Sequence, residues 1–200
     1  MSSAPQGYFP DEGFASRHLR GTFPSVNYAE ARDQIRTGDL IAIRKRGGLL
    51  PTLTRWITKS PYTHTGLAVW VGDETPRLLV AESKASGDFL TPLSQYAEID
   101  FDVFSAPLSV IMSIEEVIWK TLGQHVGYDF ADLVMIGLNR LVGMPLPKSD
   151  NSLMVCSALS ASMWIEAGWQ PWFLPSIPAP DNVVAALGVP PRLQVRVSDA

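Results

Sequence analysis

The chain has 200 residues, with 16 Lys and Arg against 20 Asp and Glu. The resulting net charge of −4 argues against nucleic acid as a partner. Hydrophobic residues make up 46% of the sequence, which is enough for one domain with a sizeable core. The 16 prolines disfavour an all-helical bundle, because proline interrupts helices.

The counts of cysteine and histidine argue against a disulfide-stabilised protein and against a structural metal site. The single cysteine, Cys156, cannot form an intramolecular disulfide. The three histidines show no short Cys/His spacing, so we expect no metal. The sequence has no Gly-rich phosphate loop of the required form, so we expect no nucleotide and no other cofactor.

The first 20 residues are polar where a signal peptide needs an apolar core, and no apolar run reaches the roughly 18 residues of a membrane span. We expect a soluble protein without an integral membrane segment. Two locations stay open: the cytoplasm, or the cell wall reached by a non-classical route. The oligomeric state is also open.

The chain begins with a segment that has no periodicity. Residues 1–27 are therefore predicted to be a flexible arm, and residues 28–200 to form a single domain with a proline-rich C-terminal tail. A short helix is predicted over Tyr28–Arg36 and a strand over Leu40–Ile43. After a basic loop, Leu49–Lys59 has approximately helical spacing of apolar residues.

The clearest β signal is a hairpin. The strands His64–Val71 and Leu78–Glu82 flank Gly72–Pro76, a turn-rich connection of hairpin length. A further strand is predicted over Ile99–Phe104, where apolar residues alternate with two aspartates. The sheet is expected to be mainly antiparallel, and Asp100 and Asp102 are expected to lie on its solvent-facing side.

The register of this hairpin decides which side chains meet. If Val71 pairs with Arg77, Gly66 lies opposite Glu82. His64 then lies diagonal to Glu82 on the same face, about 7–8 Å away and within reach of a long side chain. A register shifted by one residue would put the two side chains on opposite faces.

The second half of the chain is predicted to hold most of the helices. No internal repeat and no sharp change of composition divides it. The predicted elements are helices at Ser113–Gly123, Phe130–Leu141, Val155–Ala167 and Asp181–Leu187, and a last strand at Leu193–Val197.

Cys156 falls in the first turn of a predicted helix. Unpaired amides and the helix dipole at that end lower a thiol pKa and produce a nucleophilic thiolate. The small residues Ser157 and Ala158 leave room for a substrate, and nearby backbone amides are candidates for an oxyanion hole. The alternative is a buried cysteine that packs as a small hydrophobe.

His64 and Glu82 are candidates for the base and its orienting acid. His64 opens a strand beside Gly66, where an imidazole can face a cleft. Glu82 lies at the end of an otherwise apolar strand, from which its carboxylate can fix the ring. The alternatives are a half-buried strand-end histidine and a solvent-facing glutamate.

The order of these motifs resembles the circularly permuted NlpC/P60 papain-like proteins, the YiiX-like group, over about residues 37–168. In that group the histidine precedes the cysteine, as it does here. The motifs that carry the resemblance are Thr37-Gly38-Asp39-Leu40-Ile41, His64-Thr65-Gly66, Ala81-Glu82-Ser83, Gly127-Tyr128-Asp129-Phe130 and Val155-Cys156-Ser157-Ala158.

The resemblance implies an α+β papain-like fold with the catalytic cysteine at a helix N-terminus. It also implies a cysteine hydrolase in which Cys156 attacks a carbonyl, His64 transfers the proton and Glu82 orients the ring. Tyr128 and Ser157 are the expected substrate-binding residues. Members cleave amide bonds in cell-wall peptides, so a peptidoglycan peptidase or amidase acting through a thioester is the first hypothesis.

Two alternatives stay open. Relatives of the same layout transfer or hydrolyse lipid acyl groups, and the aromatic residues of the tail are the only sequence sign of an apolar groove. These are Trp164, Trp169, Trp172 and Phe173, for which core packing is the preferred interpretation. The other alternative is a binding protein that retains the fold with an idle, unreactive cysteine.

Overall fold

The structure of the protein is a computed structural model that describes residues 25–44, 60–84, 87–122 and 156–197. The predicted helices at 49–59 and 130–141 lie outside these ranges. So do Tyr128, the basic residues Lys45 and Arg46, and most of the predicted N-terminal arm.

The described strands form one seven-stranded sheet in the order β1-β7-β6-β2-β3-β4-β5. Only β1 and β7 pair in parallel among these residues, so the sheet is mixed but mainly antiparallel, as predicted. The strands are β1 Ser25–Val26, β2 Leu40–Ile43, β3 His64–Val71, β4 Arg77–Lys84, β5 Gly87–Pro92, β6 Phe101–Phe104 and β7 Leu193–Val195.

Helices cover both faces of this sheet, which gives an α+β architecture. The described α-helices are α1 Tyr28–Arg32, α2 Ile114–Leu122, α3 Cys156–Glu166 and α4 Pro180–Leu187, with 3₁₀ helices at Leu93–Tyr96 and Leu108–Val110. Asn27 caps α1, since its side chain accepts from the Glu30 amide at 2.9 Å. α4 begins with a proline, which suits the first helical position.

Strand alternation divides the core into two clusters. Leu67 and Val69 of β3 point toward α2, α3 and α4, where they meet residues such as Ile118 and Trp164. Ala68 points to the opposite face and packs in a second cluster with α1 and the Leu93–Tyr96 helix. The site described below lies at the end of β3 where His64 begins the strand.

The sequence predicted β2 and β3 with the bounds that they have, and the helices α2, α3 and α4 to within two residues. It did not predict β5, the edge strand. The helix α1 ends at Arg32 instead of Arg36. Ser25–Val26, assigned to the flexible arm, pairs with β7 as a strand.

The expectation that Asp102 faces solvent was wrong. Its side chain is fully buried and accepts hydrogen bonds from Arg44, Tyr62 and Arg196. Charge pairing with two arginines explains why a carboxylate is retained in the interior. Asp100 lies nearer the surface and accepts from the Val197 amide at 3.0 Å.

Candidate active site

The β3–β4 hairpin brings His64 and Glu82 together. Val71 pairs with Arg77, which confirms the predicted register and sets the two side chains on one face of the sheet. His64 Nε2 and Glu82 Oε2 lie 2.5 Å apart. Since a carboxylate only accepts, Nε2 carries the proton of this hydrogen bond, and Nδ1 is the ring nitrogen left for another partner.

Gly66 makes this approach possible. A Cβ atom at this position would lie 2.4 Å from Val80 Cγ1 and 3.1 Å from Glu82 Cβ. The absence of a side chain therefore lets the Glu82 side chain lie close against β3.

The other partner of His64 is Cys156. Cys156 lies in the first turn of α3, which packs against β3, and its thiol lies close enough to the His64 ring for each group to shift the pKa of the other. The backbone amides of Thr65 and Ser157 also stabilise the charged sulfur and lower the pKa of the thiol. Ser160 donates to the Cys156 carbonyl at 3.0 Å, which secures the first turn against Thr65.

The electrostatics of this pair favour a thiolate and an imidazolium. Burial alone raises a thiol pKa, but the His64 charge and the two backbone amides lower the pKa of Cys156 below its usual value. Burial opposes the charge on His64, but Cys156 and Glu82 together raise its pKa to about 10. The pair is therefore charged between the lowered cysteine pKa and the raised histidine pKa.

Glu82 is held by more groups than the sequence indicated. Its side chain has no exposed surface. Tyr96 Oη donates to Oε2 at 2.6 Å, and Lys84 Nζ lies 2.6 Å from Oε1. Burial disfavours the ionised carboxylate, but His64, Lys84 and Thr91 outweigh burial and lower the pKa of Glu82 to about 2.

The two predicted substrate-binding residues have different outcomes. Tyr128 lies outside the described residues. Ser157 is buried, and its hydroxyl donates to the Pro178 carbonyl at 2.6 Å, while its backbone amide faces the sulfur. Its side chain thus secures the segment before α4, and the amide is the part of Ser157 near the Cys156 sulfur.

The aromatic residues of the C-terminal segment divide into two groups. Trp164 and Trp169 are buried and pack edge to face, with ring centroids 5.2 Å apart, as core residues. Trp172 and Phe173 are exposed and line a groove of about 510 Å³ against Ala158 and Ile165 of α3. At about 100° per residue, these two helix positions lie half a turn away from Cys156, on the opposite side of α3.

Two absences apply to the described ranges. No group of three or more His, Cys, Asp and Glu side chains there is arranged to hold a metal ion. None of the helices in those ranges is long and apolar enough to cross a lipid bilayer.

Comparison with known proteins gives a weak structural likeness. No protein-family profile and no curated protein matches the chain. Among solved structures, it is similar to the crystal structure of the metalloprotein YiiX from Escherichia coli O157:H7. The identity is 22% and the TM-score 0.38, over 56% of this chain and 68% of that chain. No function follows from a likeness at this level.

Proposed function

We propose that the chain is a cysteine hydrolase of the permuted papain-like NlpC/P60 type, which cleaves an amide bond in a small peptide through a thioester. The observation that carries the proposal is the His64 ring, held between the Cys156 sulfur and the Glu82 carboxylate. A nucleophile, a base and an acid that orients the base form the arrangement by which a thiol is activated for acyl transfer.

The proposed reaction has two halves, the formation of a thioester on Cys156 and its hydrolysis. The Cys156 thiolate attacks the amide carbonyl carbon, and the imidazolium of His64 gives its proton to the leaving amine as the C–N bond breaks. In the second half, neutral His64 takes a proton from water, which attacks the thioester carbonyl. The acid product leaves and the thiolate is restored. Glu82 keeps the ring oriented throughout.

The substrate class rests on the resemblance to enzymes that cleave cell-wall peptides. The lipid alternative would need an apolar groove that opens at the sulfur. The groove lined by Trp172 and Phe173 lies on the other side of α3, so this feature does not favour an acyl-chain substrate.

The test is the rate of alkylation of Cys156 by iodoacetamide as a function of pH. An ordinary thiol has a pKa of about 8.5. We expect the unsubstituted protein to react as a thiolate well below that pH, and His64→Ala to shift the profile to higher pH. Cys156→Ser controls for the signal, because it removes the only thiol. Cell-wall peptides and fatty-acyl amides are then compared as substrates.

A slow reaction with an ordinary profile, unchanged in His64→Ala, would reject the hydrolase and leave the binding-protein alternative. Preferential cleavage of the fatty-acyl amide would instead retain the thiol chemistry and reject the peptide as substrate.

A further inference from the structure

Tyr96 and His64 both contact the Oε2 atom of Glu82. Its hydroxyl donates to Oε2 at 2.6 Å, beside the 2.5 Å contact from His64 Nε2. Tyr96 belongs to no motif on which the hydrolase proposal depends, and it lies 14 residues beyond Glu82. Its position comes from the fold and not from proximity in sequence.

The Leu93–Tyr96 helix explains how this hydroxyl reaches the site. It follows the edge strand β5 directly and contacts β4, and Leu93 is fully buried in the core cluster on the His64 face. Leu93 thus anchors the helix, and Tyr96 packs on the same cluster with its hydroxyl directed at β4. Burial and the nearby Glu82 charge raise the pKa of Tyr96, so its hydroxyl remains a donor.

A hydrogen bond and an ion pair restrain the carboxylate. Tyr96 Oη donates to Oε2, while Lys84 Nζ lies 2.6 Å from Oε1 as an ion pair without hydrogen-bond geometry and donates to Thr91 Oγ1 at 3.0 Å. An ion pair attracts the carboxylate but does not fix its direction, so the Tyr96 hydrogen bond is the directional contact that restrains rotation about the last side-chain bond. It thereby restrains the Oε2 lone pair that faces His64, and with it the orientation of the ring toward the sulfur.

We propose that Tyr96 is a positioning residue of the candidate site, which acts through Glu82 to set the orientation of the His64 ring toward Cys156. The proposal rests on the proposed function, because an oriented ring matters only if His64 activates the thiol. Within the described residues, the other charged and titratable groups near the His64–Glu82 pair are Lys84 of β4 and Cys156 of α3.

The test is a double-mutant cycle on the alkylation rate of Cys156 by iodoacetamide at pH 7. The variants are Tyr96→Phe, Glu82→Gln and the two together. Tyr96→Phe keeps the ring and removes one hydrogen bond to a charged group, so we expect the rate to fall about three- to ten-fold. In the double variant we expect no fall beyond that of Glu82→Gln, because the two residues act in series.

A second measurement reads the ring itself. NMR titration of labelled histidine gives the pKa of His64, one of only three histidines. We expect Tyr96→Phe to lower this pKa from its raised value, because the contacts that raise it become looser. Tyr28→Phe is the matched control, since Tyr28 lies in α1, where its hydroxyl interacts with Arg32 and not with Glu82. It should change neither the rate nor the pKa.

Three results would overturn the proposal. One is an unchanged rate in Tyr96→Phe, and another is a fall in the double variant equal to the product of the two single effects. The third is a rise in the His64 pKa, which would mean that Tyr96 competes with the ring for Oε2. Failure of the proposed function is distinct, because His64→Ala and Glu82→Gln would then also react at the unsubstituted rate.

Discussion

Glu82 combines full burial with a pKa lowered to about 2. Burial alone would have the opposite effect, because it favours the neutral acid. The surrounding donors reverse this preference, so the carboxylate keeps its charge down to about pH 2. The groups around Glu82, and not its burial, thus decide its charge.

The lowered pKa makes Glu82 a source of pH-dependent stability. Its folded pKa of about 2 lies below the ordinary value of 4.5, so its contribution is complete above pH 4.5 and is lost as the pH falls toward 2. We expect the free energy of unfolding to fall more steeply over this interval in the unsubstituted protein than in Glu82→Gln. Urea unfolding at several pH values measures this, and a pH-independent difference between the two would contradict the assignment.

At the scale of elements, β3 serves two functions through consecutive residues. His64 points to one face of the sheet, toward Glu82, and the backbone amide of Thr65 contacts the Cys156 sulfur. The His64 side chain and the Thr65 amide belong to the same strand end, so β3 positions two groups that interact with Cys156. The pairing of β3 with β2, in which Ile43 lies opposite His64, holds this end in place.

The close contact between β3 and β4 predicts the result of Gly66→Ala. The added Cβ would lie 2.4 Å from Val80 Cγ1 and 2.8 Å from the Ala81 carbonyl oxygen, so β4 has to move. We expect a loss of about 1–3 kcal/mol in the free energy of unfolding, typical of overpacking. The alkylation rate of Cys156 should fall as well, because Glu82 moves with β4.

The control for this prediction is Gly188→Ala. Gly188 ends α4 with a φ of +66° and has no atom within 4 Å of the added Cβ. The left-handed conformation costs alanine about 1–2 kcal/mol, so stability falls by a similar amount. Alkylation should be unaffected. An equal loss of reactivity in both variants would mean that the Gly66 effect is general destabilisation.

At the scale of the whole molecule, Asp102 joins distant parts of the chain. Arg44 donates to one of its oxygens and Arg196 to the other, and Tyr62 adds a third hydrogen bond at 2.7 Å. Arg44 follows β2, Tyr62 precedes β3 and Arg196 follows β7. The cluster therefore joins the central strands β2, β3 and β6 to the C-terminal strand β7, near the end of β3.

We expect Asp102→Ala to cost about 3–5 kcal/mol in the free energy of unfolding, because it leaves two arginines without their buried partner. Asp33→Ala is the matched control, since the Arg32–Asp33 pair is exposed and contributes about 0–1 kcal/mol. Chemical denaturation of both variants makes the comparison. Similar losses in the two would show that the Asp102 cluster does not stabilise the fold.

The sequence predicted the parts of the site that depend on local pattern. The turn at Gly72–Pro76 fixes the register of its hairpin, and this register sets Glu82 and His64 on the same face. The features that the sequence missed depend on distant contacts. From the sequence alone Asp102 is predicted to face solvent, because its partners Arg44 and Arg196 lie 58 and 94 residues away along the chain.

Tyr96 was missed for a related reason, because its helix is positioned by Leu93 in the core and no motif marks it. The edge strand β5 contains Gly87 and Pro92 and is only partly buried, so it lacks the alternation that reveals a strand. β5 is identified as a strand by its pairing with β4 in the structure, and not by its own sequence pattern.

The single cysteine has a consequence for oxidation. Peroxides oxidise thiolates, so the lowered pKa of Cys156 also favours conversion of its sulfur into a sulfenic acid by a peroxide small enough to reach this buried side chain. A sulfenic acid is normally rescued by a second thiol, but the sequence contains no other cysteine. Recovery of the sulfur therefore depends on a small thiol or another protein. Without one, further oxidation to the sulfinic acid is irreversible.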